Sequence, residues 1–185
     1  MLTKPEILHG EFTNCSACKA CMGDCCQWSA CENSPLDFDN DTKRMQQALE
    51  SGKYSIDYVR TSLKSFIKKD GYLSLDLNHI MCTPNEALYI RPKNANRPLF
   101  DILHTDTAEG PCVFWSIERG CDLKYNERPM FGRLIIAVAP HECYPLYNRQ
   151  NIANVWKPFT PLLFEIAKKN FPEDWQPYKD INFRL

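Results

Sequence analysis

Cys15, Cys18, Cys21, Cys25, Cys26 and Cys31 fall within seventeen residues of one another. Thiolates at this density gather metal. A C-x2-C pair offers two sulfurs to one ion from a single tight turn, and repeated pairs suit a tetrahedral thiolate shell. Cys112, Cys121 and Cys143 follow far downstream and complete a set of candidate ligands. That set can build two four-thiolate sites, one cubane, or a binuclear site with a bridging thiolate. The side chains of adjacent Cys25 and Cys26 tend to diverge, which favours two metal centres or one multinuclear centre. The spacing Cys15-x2-Cys18-x2-Cys21-x3-Cys25 matches the ligand run of bacterial ferredoxins, although Cys26 replaces the usual proline and no second run occurs. Zinc and iron–sulfur clusters both accept such ligands, so the expected cofactor is zinc or an iron–sulfur cluster. The C-x3-C-x2-C signature of radical enzymes is absent.

Other candidates attach to this set. Arg128 and Arg133 flank the distal cysteines, placed to hydrogen-bond metal-bound thiolates or carboxylates, or to form a hairpin salt bridge. His141 stands two residues from Cys143, and imidazole suits zinc. His104-x-Asp106 has the form of a base and its orienter, but its polar setting reads as solvated surface. Cys82, alone in Ile80-Met-Cys-Thr-Pro, is expected to be a small buried apolar residue. Arg60, Lys64 and Lys68 read as a solvated helix face, and Trp115, Trp156 and Trp175 as core or edge aromatics. No phosphate-cradling glycine loop, dinucleotide fingerprint or serine elbow occurs, and no catalytic residue is assigned.

The elements that must position these residues read as α+β: a small metal-stapled single domain with short strands and a few helices. A knuckle over 12–35, helices and strands over 36–170 and a surface tail over 171–185 make one domain of 185 residues. Asp41-Thr42 caps a helix over 43–51, closed by Gly52. Ser55 is placed to cap a second, with Ile56, Val59, Leu63, Phe66 and Ile67 on one face and Gly71 at its end. Alternating Leu73, Leu75 and Leu77 predict a strand, as does Ala87–Arg91, ended by Pro92. Residues 93–110 form a long loop. Residues 112–123 read as a hairpin bringing Cys112 and Cys121 together at its base. Leu134–Ala139 is apolar and strand-like. Helix with breaks follows over about 149–170, with Thr160-Pro161 as N-cap and first turn, and Trp156, Phe159, Leu163 and Ile166 as an apolar stripe.

In this order, the CxxC…CC knuckle, Gly110-x-Cys112-x-Phe114, Cys121-x-Leu123 and Glu127-Arg128-Pro129 resemble the YkgJ-type CxxCxCC family of zinc- or iron-chelating cysteine-cluster proteins. Leu49-Glu-Ser-Gly-Lys-Tyr-Ser-Ile-Asp57 and Tyr89-Ile-Arg-Pro92 resemble a clostridial-looking branch of it, so the likeness spans about residues 12 to 168. Members carry a cysteine three residues after the Arg-Pro proline; here Gly132 stands there. Cys143 is then the substitute ligand, or the site has one ligand fewer. The family has no agreed activity. A similar segment accompanies flagellin lysine methylases, which implies that the module can serve beside modification chemistry.

Composition narrows the setting. Hydrophobic content of 44%, charged content of 24% and net charge −1 suit a globular protein and give no electrostatic footprint for nucleic acid. Met1–Gly10 has no apolar signal region, and no stretch has the length of a membrane span. The expectation is a cytoplasmic protein whose thiols stay reduced, so metal outranks a disulfide scaffold. The expected function is metal binding without assigned catalysis, with another protein as partner and neither membrane nor nucleic acid. The alternative is a redox protein or enzyme using an iron–sulfur or open metal centre, accessory to a modification reaction.

Overall fold

The computed structural model describes residues 23, 25–28, 30–59, 66–69, 72–95, 100–101, 110–139, 142–170 and 178–179. Among these the elements are α1 (Cys25–Trp28), α2 (Thr42–Glu50), β1 (Tyr54–Val59), β2 (Phe66–Lys69), β3 (Tyr72–Leu75), α3 (Leu77–Cys82), β4 (Ala87–Pro92) and β5 (Phe100–Asp101). Then come β6 (Trp115–Ser116), β7 (Gly120–Cys121), α4 (Met130–Arg133), β8 (Ile135–Ala139), β9 (Glu142–Pro145), α5 (Arg149–Trp156), α6 (Thr160–Asn170) and β10 (Tyr178–Lys179). The class is α+β. One sheet has the order β4-β1-β5, a second β10-β3-β2, and β6–β7 and β8–β9 form two-stranded ribbons.

The first sheet carries the core. β1 and β4 run antiparallel from Tyr54 opposite Pro92 to Val59 opposite Ala87, and β5 joins β1 in parallel. Ile56, Leu88 and Ile90 are fully buried and belong to one cluster with Met45 and Leu49 of α2 and Trp156 and Leu163 of α5 and α6. Both helices pack on β4. On the alternate residues of the same strands, Arg91 Nε meets Asp57 Oδ2 at 2.6 Å in a buried ion pair. The Trp156 ring lies 6.3 Å from Phe38 and 6.0 Å from Phe159, centroid to centroid.

β4 is an edge strand, and its open side is covered. Asn33 donates its amide to the Ile90 carbonyl at 3.2 Å. The Thr160 hydroxyl accepts from the Leu88 amide at 3.1 Å and donates to the Trp156 carbonyl at 3.3 Å. Trp156 Nε1 donates to the Asn33 carbonyl at 2.7 Å. The chain leaving the cysteine run is therefore held by its backbone between a sheet edge and the core tryptophan, and the edge is closed to other strands. Lys157 closes the C-terminal end of α3 by donating its ammonium to the carbonyls of Ile80, Thr83 and Glu86.

Several expectations hold. Asp41 caps α2 through Lys43 N at 2.8 Å, and Gly52 follows its end with φ +71°. The strands at 87–92 and 135–139 and the broken helix at 149–170 are present. Others are corrected. The helix expected from Ser55 to Gly71 is absent from 55–59 and 66–69, which are strands. Ser55 to Val59 are buried without a break, so the two-residue period is hidden, and β-branched and aromatic residues then favour the strand. Lys68 accordingly lies in β2, not on a helix face. Leu77 begins α3, because Asp76 accepts from Asn78 N and His79 N at 3.0 and 3.2 Å and caps it. Cys82, at the end of α3, is exposed and not buried. Thr160 does not cap: a 3-10 turn over Lys157–Phe159 carries α5 into α6, and Thr160 has helical angles (φ −54°, ψ −45°). In the tail, Tyr178–Lys179 adds a strand beside β3. Cys15, Cys18, Cys21, Arg60, Lys64, His104, Asp106, His141 and Trp175 lie outside the described residues. Among the described residues no helix is long and apolar enough to cross a membrane.

Trp156→Phe keeps a six-membered aromatic ring but removes the pyrrole half of the indole, leaving a small cavity and the buried Asn33 carbonyl without its donor. It should lower unfolding free energy by about 1–3 kcal/mol in denaturant titration, with an unchanged slope. An unchanged midpoint would remove this bond from the account.

Candidate metal centre

Gly23 turns the chain into α1. Its φ of +72° is the left-handed conformation that glycine adopts without a Cβ penalty. Its carbonyl accepts from Cys26 N at 2.8 Å. Its α-carbon rests against the β6–β7 ribbon: a Cβ there would stand 3.5 Å from Trp115 Cδ1 and 3.8 Å from the Cys121 amide nitrogen. One turn on, Cys112 donates its amide to the Cys26 carbonyl at 2.9 Å. The helix bearing Cys25 and Cys26 thus docks on the segment bearing Cys112 and Cys121, which is 86 residues further along at Cys112 (112 minus 26).

The ribbon differs in detail from the hairpin expected. Cys121 pairs with Trp115, not with Cys112. Cys112 sits a turn earlier, its carbonyl accepting from Trp115 N at 2.9 Å, and it bridges to Asn94. Flanking bonds from Ala95 N to Pro111 O (2.8 Å) and Val113 N to Lys93 O (2.9 Å) fix it there. Asn94 is fully buried and donates from Nδ2 to the Gly110 carbonyl at 2.5 Å. Cys112 is buried, while Cys26 and Cys121 are half-buried.

Cys31 occupies a different place, beside α4. A Cβ on Gly132 would lie 2.8 Å from both Cβ and Sγ of Cys31, closer than non-bonded atoms approach. The glycine in the Arg-Pro motif therefore leaves room for the Cys31 side chain. Asp37 holds the two segments together. Its Oδ2 accepts from Asn33 Nδ2 (3.1 Å), Ser34 N (2.9 Å) and Met130 N (2.8 Å), and its Oδ1 from Arg133 at 2.9 Å. Next to Cys31, Glu32 accepts from the Tyr147 hydroxyl at 2.7 Å, and the Tyr147 ring lies 4.8 Å from Phe131.

Two phenols report the local electrostatics. Burial pushes the Tyr147 hydroxyl far up, helped by the charge of Glu32 and its hydrogen bond, then by Cys31 and Tyr89. It stays protonated and serves as the donor to Glu32. Burial likewise raises Tyr54, with Asp37 and Cys112 adding to the shift.

The remaining candidates are placed as follows. Cys143 lies in β9 opposite Ala137. That is three ribbon residues, about 10 Å, beyond the Leu146 N to Leu134 O bond at the ribbon's root. Arg133 pairs with the Asp37 carboxylate, outside the ribbon. Arg128 donates from Nε to the Leu123 carbonyl at 3.3 Å, ending the turn that follows the ribbon. Cys26, Cys31, Cys82, Cys112, Cys121 and Cys143 are not in disulfides. Among the described residues no three His, Cys, Asp or Glu side chains converge in metal-holding geometry. Gly23, Asp37, Glu32, Tyr147 and Gly132 were not singled out as contacts. Only Asp37 carried a readable signal, since Ser34-x-x-Asp37 is a capping box, and Ser34 and Asp37 form it over Pro35–Phe38.

Searches with this chain find no match among protein-family models, curated proteins or solved structures.

Gly132→Ala gains up to about 1 kcal/mol of helix propensity but forces an overlap on Cys31. Overpacking at a fixed neighbour costs about 1–3 kcal/mol, so the variant should be destabilised. Combined with Cys31→Gly, the loss should be smaller than the sum of the two single changes. Simple additivity in denaturation midpoints would contradict the contact.

Proposed function

We propose that the protein binds metal, as zinc or an iron–sulfur cluster, through thiolates drawn from both its N-terminal run and its distal segment. The observation that carries this is the 2.9 Å bond from the Cys112 amide to the Cys26 carbonyl, which sets thiol-bearing segments from distant parts of the chain side by side. Cys15, Cys18, Cys21, Cys25, Cys26, Cys31, Cys112, Cys121 and Cys143 form the candidate set. The donor chemistry suits the group: soft thiols, not in disulfides among the described cysteines, match zinc and iron–sulfur preferences. The described thiols do not close a shell on their own, so this reading draws at least one further ligand from residues 15–25. Arg133 and Asp37 belong to the frame that holds Cys31, not to the ligand set.

The role that follows is a metal-fixed module presenting a surface to another protein, without assigned catalysis. Metal binding to thiolates also couples to folding, because the ligands lie far apart in sequence and meet only in the native state. Anaerobic purification followed by metal analysis and a visible spectrum tests the reading. Stoichiometric metal is expected: a colourless zinc protein, or a brown one with thiolate-bound iron. A strong chelator should lower thermal stability in step with metal loss. Protein that carries almost no metal after gentle anaerobic handling would overturn the proposal.

A further inference from the structure

We propose that Cys26 and Cys112 form a redox-sensitive pair whose oxidation to a disulfide expels the bound metal; the metal half of this rests on the reading above. The pair is chosen by backbone geometry. One backbone hydrogen bond of 2.9 Å joins the two residues, Cys26 in α1 and Cys112 at its bridge to Asn94. Backbone bond lengths then hold their α-carbons within about 7 Å of each other, which reaches the span of about 4.4–6.8 Å that a disulfide bridges. Among the described residues no other two cysteines share a backbone hydrogen bond. Cys121 faces Trp115, Cys143 faces Ala137 and Cys31 packs on Gly132.

Burial orders the chemistry. Cys26 is half-buried and Cys112 buried, so a small oxidant in solution meets Cys26 first. With a peroxide as oxidant, the Cys26 thiolate attacks one oxygen, the O–O bond breaks and hydroxide leaves, forming a sulfenic acid. The Cys112 thiolate then attacks that sulfur. The S–S bond forms, the S–O bond breaks and a second hydroxide leaves. Two protons from solvent complete the balance: two thiolates, one hydrogen peroxide and two protons give one disulfide and two waters. Each disulfide removes two thiolate ligands, and the ion loses its hold. The backbone bond between the residues needs no rupture, so a dithiol can reverse the step.

The test treats the full-length, metal-loaded protein with hydrogen peroxide. Released metal is followed with a chromogenic chelator, and cross-links are mapped by mass spectrometry after alkylation of remaining thiols. The expected result is a Cys26–Cys112 cross-linked peptide appearing in step with released metal, lost on reduction with dithiothreitol and absent from Cys26→Ser. Metal that leaves while both residues still alkylate, or cross-links that map to other cysteines, would overturn the proposal. Protein that purifies without metal would remove the metal-binding reading alone. The same peptide map would still decide the pairing, for it if the peptide forms and against it if not.

Discussion

The placement of Cys31 depends on how the backbone of Asn33 is held. Its amide bonds the open edge of β4, and its carbonyl takes the indole N–H of Trp156, the largest fully buried side chain among the described residues. Buried amide and carbonyl groups must find partners, at a cost of about 1–3 kcal/mol for each one missed. A sheet edge and a core indole meet that demand here. The consequence reaches outward: Cys31 and Glu32, the two residues before Asn33, are placed by the hydrophobic core. Asp37 then extends the hold by gathering Asn33, Ser34, Met130 and Arg133 on one carboxylate. The core thus positions both Cys31 and the glycine that makes room for it.

A second junction lies at Gly23 and Cys26, against the β6–β7 ribbon. There a backbone hydrogen bond joins Cys112 to Cys26, and Gly23 lies against Trp115 and Cys121. The bond of Asn33 to the edge of β4 and the bridge of Cys112 to Asn94 already bring the two segments close, so this junction closes only short loops. Under the proposed metal-binding reading, metal–thiolate bonds would tighten it further.

The sequence showed its local signals well and its tertiary ones poorly. Asp41 and Gly52 bracket α2 with residues whose backbone chemistry is unambiguous. Over 55–59 the apolar spacing fits a helix as easily as a strand, because β1 is buried on both faces there. Thr160 looked like a cap, but its hydroxyl is spent on the edge of β4, a contact that no local pattern records. The same limit governed the site. Cysteine spacing pointed to a distal segment meeting the N-terminal run, and the Cys112–Cys26 bond joins those segments. The contact of Gly132 with Cys31 was not legible, because a glycine carries no pattern of its own. Read alone, that position looked like a missing ligand; beside Cys31 it is space kept for a side chain already there.

The proposal that the metal takes ligands from both the N-terminal run and the distal cysteines is measured directly by X-ray absorption at the edge of the bound metal, in the wild type and in Cys112→Ser, Cys121→Ser and Cys143→Ser. The expected result is a sulfur shell, at about 2.3 Å if the metal is zinc, that loses sulfur in at least one of the three variants. An unchanged sulfur count in all three, with the metal retained, would confine the ligands to the N-terminal run and contradict the proposal.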